Sequence, residues 1–75
     1  MAERTVDTRG LSCPLPMLKA RKALQGMERG QRLRLLATDR KAIDDIAALC
    51  EASGDRLVES DVAGPELVFV IECRG

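Results

Sequence analysis

Within this 75-residue chain, the run Cys13-Pro14-Leu15-Pro16 is the one stretch whose residue types and spacing suit covalent chemistry. Proline makes up about 5% of residues on average, so the chance that any one of three cysteines has proline at both +1 and +3 is roughly 1%. Both prolines fit the first turn of a helix, where backbone N–H groups have no intrahelical partner. A helix starting at about Pro14 places Cys13 at its N-cap, beside free N–H groups and the positive end of the helix dipole. That placement predicts a thiol pKa below that of a free cysteine and a nucleophilic thiolate at neutral pH. Pro14 and Pro16 stiffen the presentation of the sulfur, and Gly10 leaves its approach sterically open.

What surrounds this cysteine in composition narrows the chemistry. There is no His, which removes the usual general base of a Ser or Cys hydrolase and the usual nitrogen ligand of a zinc or iron site. Cys13, Cys50 and Cys73 are an odd set with no CxxC spacing, so neither a disulfide framework, nor a thioredoxin dithiol, nor a metal site is indicated. Cys50 falls on the apolar stripe of a second helix and Cys73 on the apolar face of a last strand. Burial in the core is the economical account of both, ahead of a resolving or second sulfur-handling role. Phe69 is the only aromatic residue, which disfavours a base-stacking reader of single-stranded nucleic acid. No cofactor and no direct nucleic-acid binding are expected.

Hydrophobic residues at 45% and charged residues at 32% describe a globular domain, and the length allows one core over residues 1–75. No apolar run of signal-peptide or transmembrane length occurs, so a cytoplasmic protein with no membrane partner is expected. The net charge of zero hides a split: residues 1–34 carry +5 and residues 35–75 carry −5. Such a dipolar surface can steer a charged partner or be simply solvated.

Periodicity places the elements that must hold Cys13. Arg4 to Thr8 is a short β-branched strand leading into Arg9-Gly10. Met17, Ala20, Leu24 and Met27 recur at helical spacing up to the exits at Gly26 and Gly30. Leu33, Leu35 and Ala37 alternate as in a half-buried strand. Thr38 or Asp39 is placed to cap a second helix with Ile43, Ile46, Ala47 and Cys50 facing in, Asp44, Asp45 and Glu51 turned away, and Gly54 as its stop. Arg56 to Val62 and Leu67 to Cys73 form a hairpin across Ala63-Gly64-Pro65. The order β-α-β-α-β-β predicts an α/β two-layer sandwich, a four-stranded mixed sheet with both helices on one face.

The stretch Gly10-Leu11-Ser12-Cys13-Pro14-Leu15-Pro16, the basic Arg21-Lys22, the Gly30 turn, Ala37-Thr38-Asp39 and Asp45-Ile46 together resemble the TusA (SirA/YedF-like) sulfur-carrier proteins, over nearly the whole chain from Val6 to Gly75. The resemblance implies the fold of the C-terminal domain of the third translation initiation factor, and persulfide sulfur carried on Cys13. It implies as partners a sulfur donor, such as a cysteine desulfurase or rhodanese-like protein, and an acceptor of a sulfur relay. Such relays end in 2-thiouridine of tRNA, in molybdenum cofactor or in oxidised sulfur. Position 15, acidic in some tRNA-thiolating members, is Leu here. Thiolate attack on a persulfide needs a nucleophile, access and a good leaving thiolate, but neither histidine nor metal.

Lys19, Arg21 and Lys22 on the first helix can receive an acidic partner or serve only as a solvated flank. The alternative of another class is a non-catalytic regulatory or binding module that docks on a protein or RNA through the basic N-terminal half, which would not need the CPxP run.

Overall fold

The computed structural model describes residues 3–74. The chain runs β1 (Glu3–Thr8), α1 (Leu15–Gln25), β2 (Arg32–Ala37), α2 (Ala42–Ser53), β3 (Arg56–Asp61) and β4 (Leu67–Glu72). The four strands make one sheet in the order β1-β2-β4-β3. β1 pairs with β2 in parallel, with Val6 opposite Leu35, and β4 pairs antiparallel with both β2 and β3. The mixed sheet and the element order are those the sequence predicts.

Alternation decides which face of the sheet is covered. Leu33, Leu35 and Ala37 of β2 and Leu67, Phe69 and Ile71 of β4 are fully buried, whereas Arg32 and Arg34 are exposed. Successive side chains of a strand point to opposite faces, so these six residues line one side. Against them pack Ala20, Ala23 and Leu24 of α1 and Ala42, Ile46 and Cys50 of α2. The stripe of α2 is rotated from the one expected: Ala42 is buried, Ile43 is only half-buried and Ala47 is exposed. On the other face of the sheet Val70 is buried and Val68 half-buried.

Helix ends follow local chemistry with one shift. Gly54 ends α2 in the left-handed conformation, φ 83°, and its N–H bonds the Cys50 carbonyl, as a helix-terminating glycine does. The start of α2 lies later than Thr38 or Asp39 would place it, at Ala42, and its cap residue Lys41 makes no side-chain bond. Asp39 acts just upstream instead: its carboxylate accepts the Lys41 N–H (3.0 Å) and its carbonyl the Ala42 N–H (3.0 Å).

The topology dictates where a site can form. Because β1 and β2 are parallel neighbours, the segments that leave them, 9–14 and 38–41, emerge at the same end of the sheet. In open α/β sheets this carboxyl end is where loops from different crossovers converge.

Candidate functional site

Three hydrogen bonds stitch the two convergent segments together. Fully buried Thr8, the last residue of β1, donates from Oγ1 to the Leu36 carbonyl (2.5 Å). The Gly10 N–H donates to Thr38 Oγ1 (2.9 Å), and the Cys13 N–H donates to Asp39 Oδ2 (2.7 Å). Gly10 lies at φ 83°, a conformation in which glycine avoids the strain of a side chain, and space beside it is open. Its role is therefore to turn the chain out of β1.

Cys13 is not the N-cap of α1. The helix begins at Leu15 with Pro14 in the cap position, Pro16 is fully buried in its first turn, and the Cys13–Pro14 peptide bond is cis. Pro16 thus anchors the start of α1 in the core, while Cys13 sits one residue ahead of the cap, half-exposed. The expected thiolate cradle is missing for a simple reason. Of the first N–H groups that a helix leaves free, Pro14 and Pro16 have none, and that of Leu15 donates to the Ser12 carbonyl (2.9 Å).

A carboxylate faces the sulfur instead. Cys13 Sγ–H donates to Asp45 Oδ2 at 2.6 Å, from the first turn of α2. This bond pushes the Cys13 thiol above its ordinary value; desolvation and the negative charges of Asp45 and Asp39 act in the same direction, with only Lys41 opposing. The physical cause is that a hydrogen bond given by the neutral thiol, and negative charge beside it, both disfavour the thiolate. One expectation is corrected, since the pKa is raised rather than lowered, and Asp45, read from the sequence only as turned away from the apolar stripe of α2, meets Cys13. Asp39, accepting the N–H groups of Cys13 and Lys41, is held below the usual carboxylate range.

The other thiols are of a different kind. Cys50 and Cys73 are both buried. Burial, helped by the charge of Asp55, pushes the Cys50 thiol up to about 11. Cys73 lies against the carbonyls of Met27 (3.6 Å) and Leu24 (3.8 Å) in the core. A thiol kept out of solvent is a poor nucleophile.

Of the basic residues of α1, Arg21 shares a groove with Asp45 and Lys19 and Lys22 do not. Arg21 lines a groove of about 610 Å³ between the helices together with Asp45, Met17, Leu24 and Leu49, whereas the two lysines lie outside it. All three are exposed, as are Leu15 and Leu18 on the same helix. Among the described residues no group of three or more His, Cys, Asp or Glu is placed to hold a metal ion, and no helix is long and apolar enough to cross a membrane.

The model of the sulfurtransferase TusA family matches residues 4–73. The chain belongs to the TusA family. It is 39% identical over 70 residues to the sulfur carrier protein TusA of Allochromatium vinosum, covering 93% of this chain and 92% of that one. It is 35% identical over 71 residues to the putative sulfur carrier protein YrkI of Bacillus subtilis, covering 95% of each. The crystal structure of a SirA-like protein from Desulfitobacterium hafniense superposes with a TM-score of 0.81 over 99% of this chain and 100% of that chain, at 22% identity, which speaks to the fold alone. Membership of the TusA family carries the role of a sulfur carrier, a protein that exchanges sulfur with a donor and an acceptor. The fold and the role expected from the sequence both stand.

Signals for Asp45 and Asp39 are present in the sequence. Parallel β1 and β2 force the segment after Gly10 to lie beside the start of α2, and Asp44 and Asp45 are the acidic residues of that first turn. Reading α2 as an isolated amphipathic helix hides this, because a residue outside the core stripe then seems to meet only water.

Proposed function

We propose that this protein accepts sulfane sulfur on Cys13, from a cysteine desulfurase or rhodanese-like donor, and passes it to a cysteine of an acceptor protein in the cytoplasm. The observation that carries the proposal is that Cys13 alone of the three cysteines is not buried. It also sits where two loops converge, with open space beside Gly10. In the accepting step the Cys13 sulfur attacks the outer sulfur of the donor persulfide. A new S–S bond forms at Cys13 and the donor's S–S bond breaks, its electron pair leaving on the donor thiolate, which takes up the proton lost by Cys13. No net oxidation occurs, so no redox cofactor is called for. The end products consistent with such a relay include 2-thiouridine in tRNA, the sulfur of a cofactor, and oxidised sulfur.

Incubation with a cysteine desulfurase and cysteine, followed by intact mass and peptide mapping, tests this. A gain of one sulfur, about 32 Da, located on the peptide containing Cys13 is the expected result. No gain with desulfurase, rhodanese or small persulfide donors would defeat the proposal.

The donor is proposed to dock on the exposed Lys19, Arg21 and Lys22 flank of α1, next to exposed Leu15 and Leu18. Charges at the edge of an interface act chiefly on the rate of encounter. Arg21→Glu combined with Lys22→Glu should slow loading by the desulfurase about tenfold, while loading by a small persulfide stays within twofold. Equal slowing with both donors would point to damage at Cys13 rather than lost docking.

A further inference from the structure

We infer that Asp45 is a positioning residue that distinguishes the empty from the loaded carrier and favours the empty one, so that Cys13 is poised to give its sulfur away. The inference rests on the assignment of Cys13 as the sulfur-bearing residue.

The argument follows from one proton. In the empty protein Sγ carries a hydrogen and donates it to Asp45 Oδ2 at 2.6 Å. Once loaded, Sγ is bonded to Cβ and to the outer sulfur and has no hydrogen to give. The bond is therefore available to the thiol and denied to the inner sulfur of the persulfide. What remains is a carboxylate facing sulfur lone pairs, and an outer sulfur that carries negative charge when it ionises. The charged groups facing Cys13 are Asp45 from α2, Asp39 from the segment before it and Lys41 beside the helix start, and the acidic ones prevail. The first turn of α1, Leu15 to Leu18, brings no charge. With Asp39 also fixing the Cys13 backbone N–H at 2.7 Å, the response to loading falls to rotation of the Cys13 or Asp45 side chain, which parts the sulfur from the carboxylate. A hydrogen bond to a charged acceptor, weakened by partial exposure, shifts such an equilibrium by about tenfold.

The exchange to be measured is Cys13–SH plus glutathione persulfide giving Cys13–S–SH plus glutathione, with the Cys13 proton ending on the glutathione thiol. Wild type, Asp45→Asn and Asp45→Glu are equilibrated with fixed ratios of glutathione persulfide to glutathione, and the loaded fraction is read by intact mass. Circular dichroism establishes that each variant is folded. Asp45→Asn should raise the equilibrium constant for loading about tenfold, and Asp45→Glu should stay close to wild type. In parallel, iodoacetamide alkylation of Cys13 is followed against pH. The carboxylate stabilises the protonated thiol, so its removal should move the alkylation profile to lower pH and speed alkylation at pH 7.5 by several-fold to about tenfold. An unchanged loading equilibrium in Asp45→Asn overturns the inference, whether or not alkylation accelerates. Failure of wild type to take up any sulfur would instead overturn the carrier assignment, and the alkylation profile would still decide whether Asp45 holds the thiol.

Discussion

Cys13→Ser takes up no sulfur from any donor, while Cys50→Ala and Cys73→Ala load fully per folded molecule. This is the expected result of the largest functional change available in the chain, and it follows from both chemistry and position. Serine nearly matches the size of cysteine and its hydroxyl can still donate to Asp45, so the junction of the two loops is kept and the fold with it. An oxygen in place of sulfur cannot form the S–S bond on which carriage depends. Cys50, buried and with its thiol pushed up to about 11, is denied the thiolate, and Cys73, 1% exposed, is denied the approach that exchange requires. Intact mass after donor treatment reads the outcome directly, as the presence or absence of a gain of about 32 Da. A full gain in Cys13→Ser would move the activity to another residue, and loss of loading in folded Cys50→Ala would give that residue a part in the relay.

The contrast among the three thiols was legible in the sequence, because each is set by a local pattern. Cys50 follows Ile43 by two turns of an amphipathic helix, and Cys73 alternates with Leu67, Phe69 and Ile71 on one strand face. The CPxP run likewise marks Cys13 without any tertiary information. The electrostatics of Cys13 are not legible in the sequence, because the helix dipole is a local effect and its rival is not: Asp45 lies 32 residues further on. The weakness of the local effect could nonetheless have been foreseen. Two prolines at the start of a helix remove two of the N–H groups through which its positive end acts, so the CPxP run itself strips away the anion-stabilising donors beside the sulfur.

A raised pKa at a nucleophile need not oppose its task. A carrier loaded by one protein and emptied by another needs a thiol that stays unreacted between encounters, and a protonated sulfur bonded to a carboxylate meets that need. Separation of the proposed docking flank on α1 from Asp45 on α2 fits this division of labour. Arg21 and Asp45 line one groove between the helices.

All of this depends on a core with little to spare, and Phe69 is where its failure should be greatest. Phe69 is fully buried in β4, the strand between β2 and β3, with Leu35 opposite on one side and Ser60 on the other. As the sole aromatic residue it is the largest buried side chain, in a core otherwise built from aliphatic residues, alanine and cysteine. Phe→Ala in such a site removes about 3–5 kcal/mol through lost transfer energy and the cavity left behind. Domains are stabilised by roughly 0.05–0.15 kcal/mol per residue, which for a chain of this length is about 4–11 kcal/mol. Phe69→Ala should therefore lose much of its stability, and unfold outright if the wild type lies at the low end. Without Trp or Tyr, urea denaturation is followed by far-ultraviolet circular dichroism. With a slope of about 1 kcal/mol per molar urea for a small domain, the midpoint should fall by about 3 M or more. Phe69→Leu, which keeps an apolar side chain of intermediate size, should remain folded with a loss of about 1–2 kcal/mol. Val58→Ala, at a site 37% exposed on β3, should cost under about 1 kcal/mol. A midpoint for Phe69→Ala within about 0.5 M of wild type would mean that β4 does not hold the centre of the core. The attachment of both loops at the carboxyl ends of β1 and β2 would then need another source of rigidity.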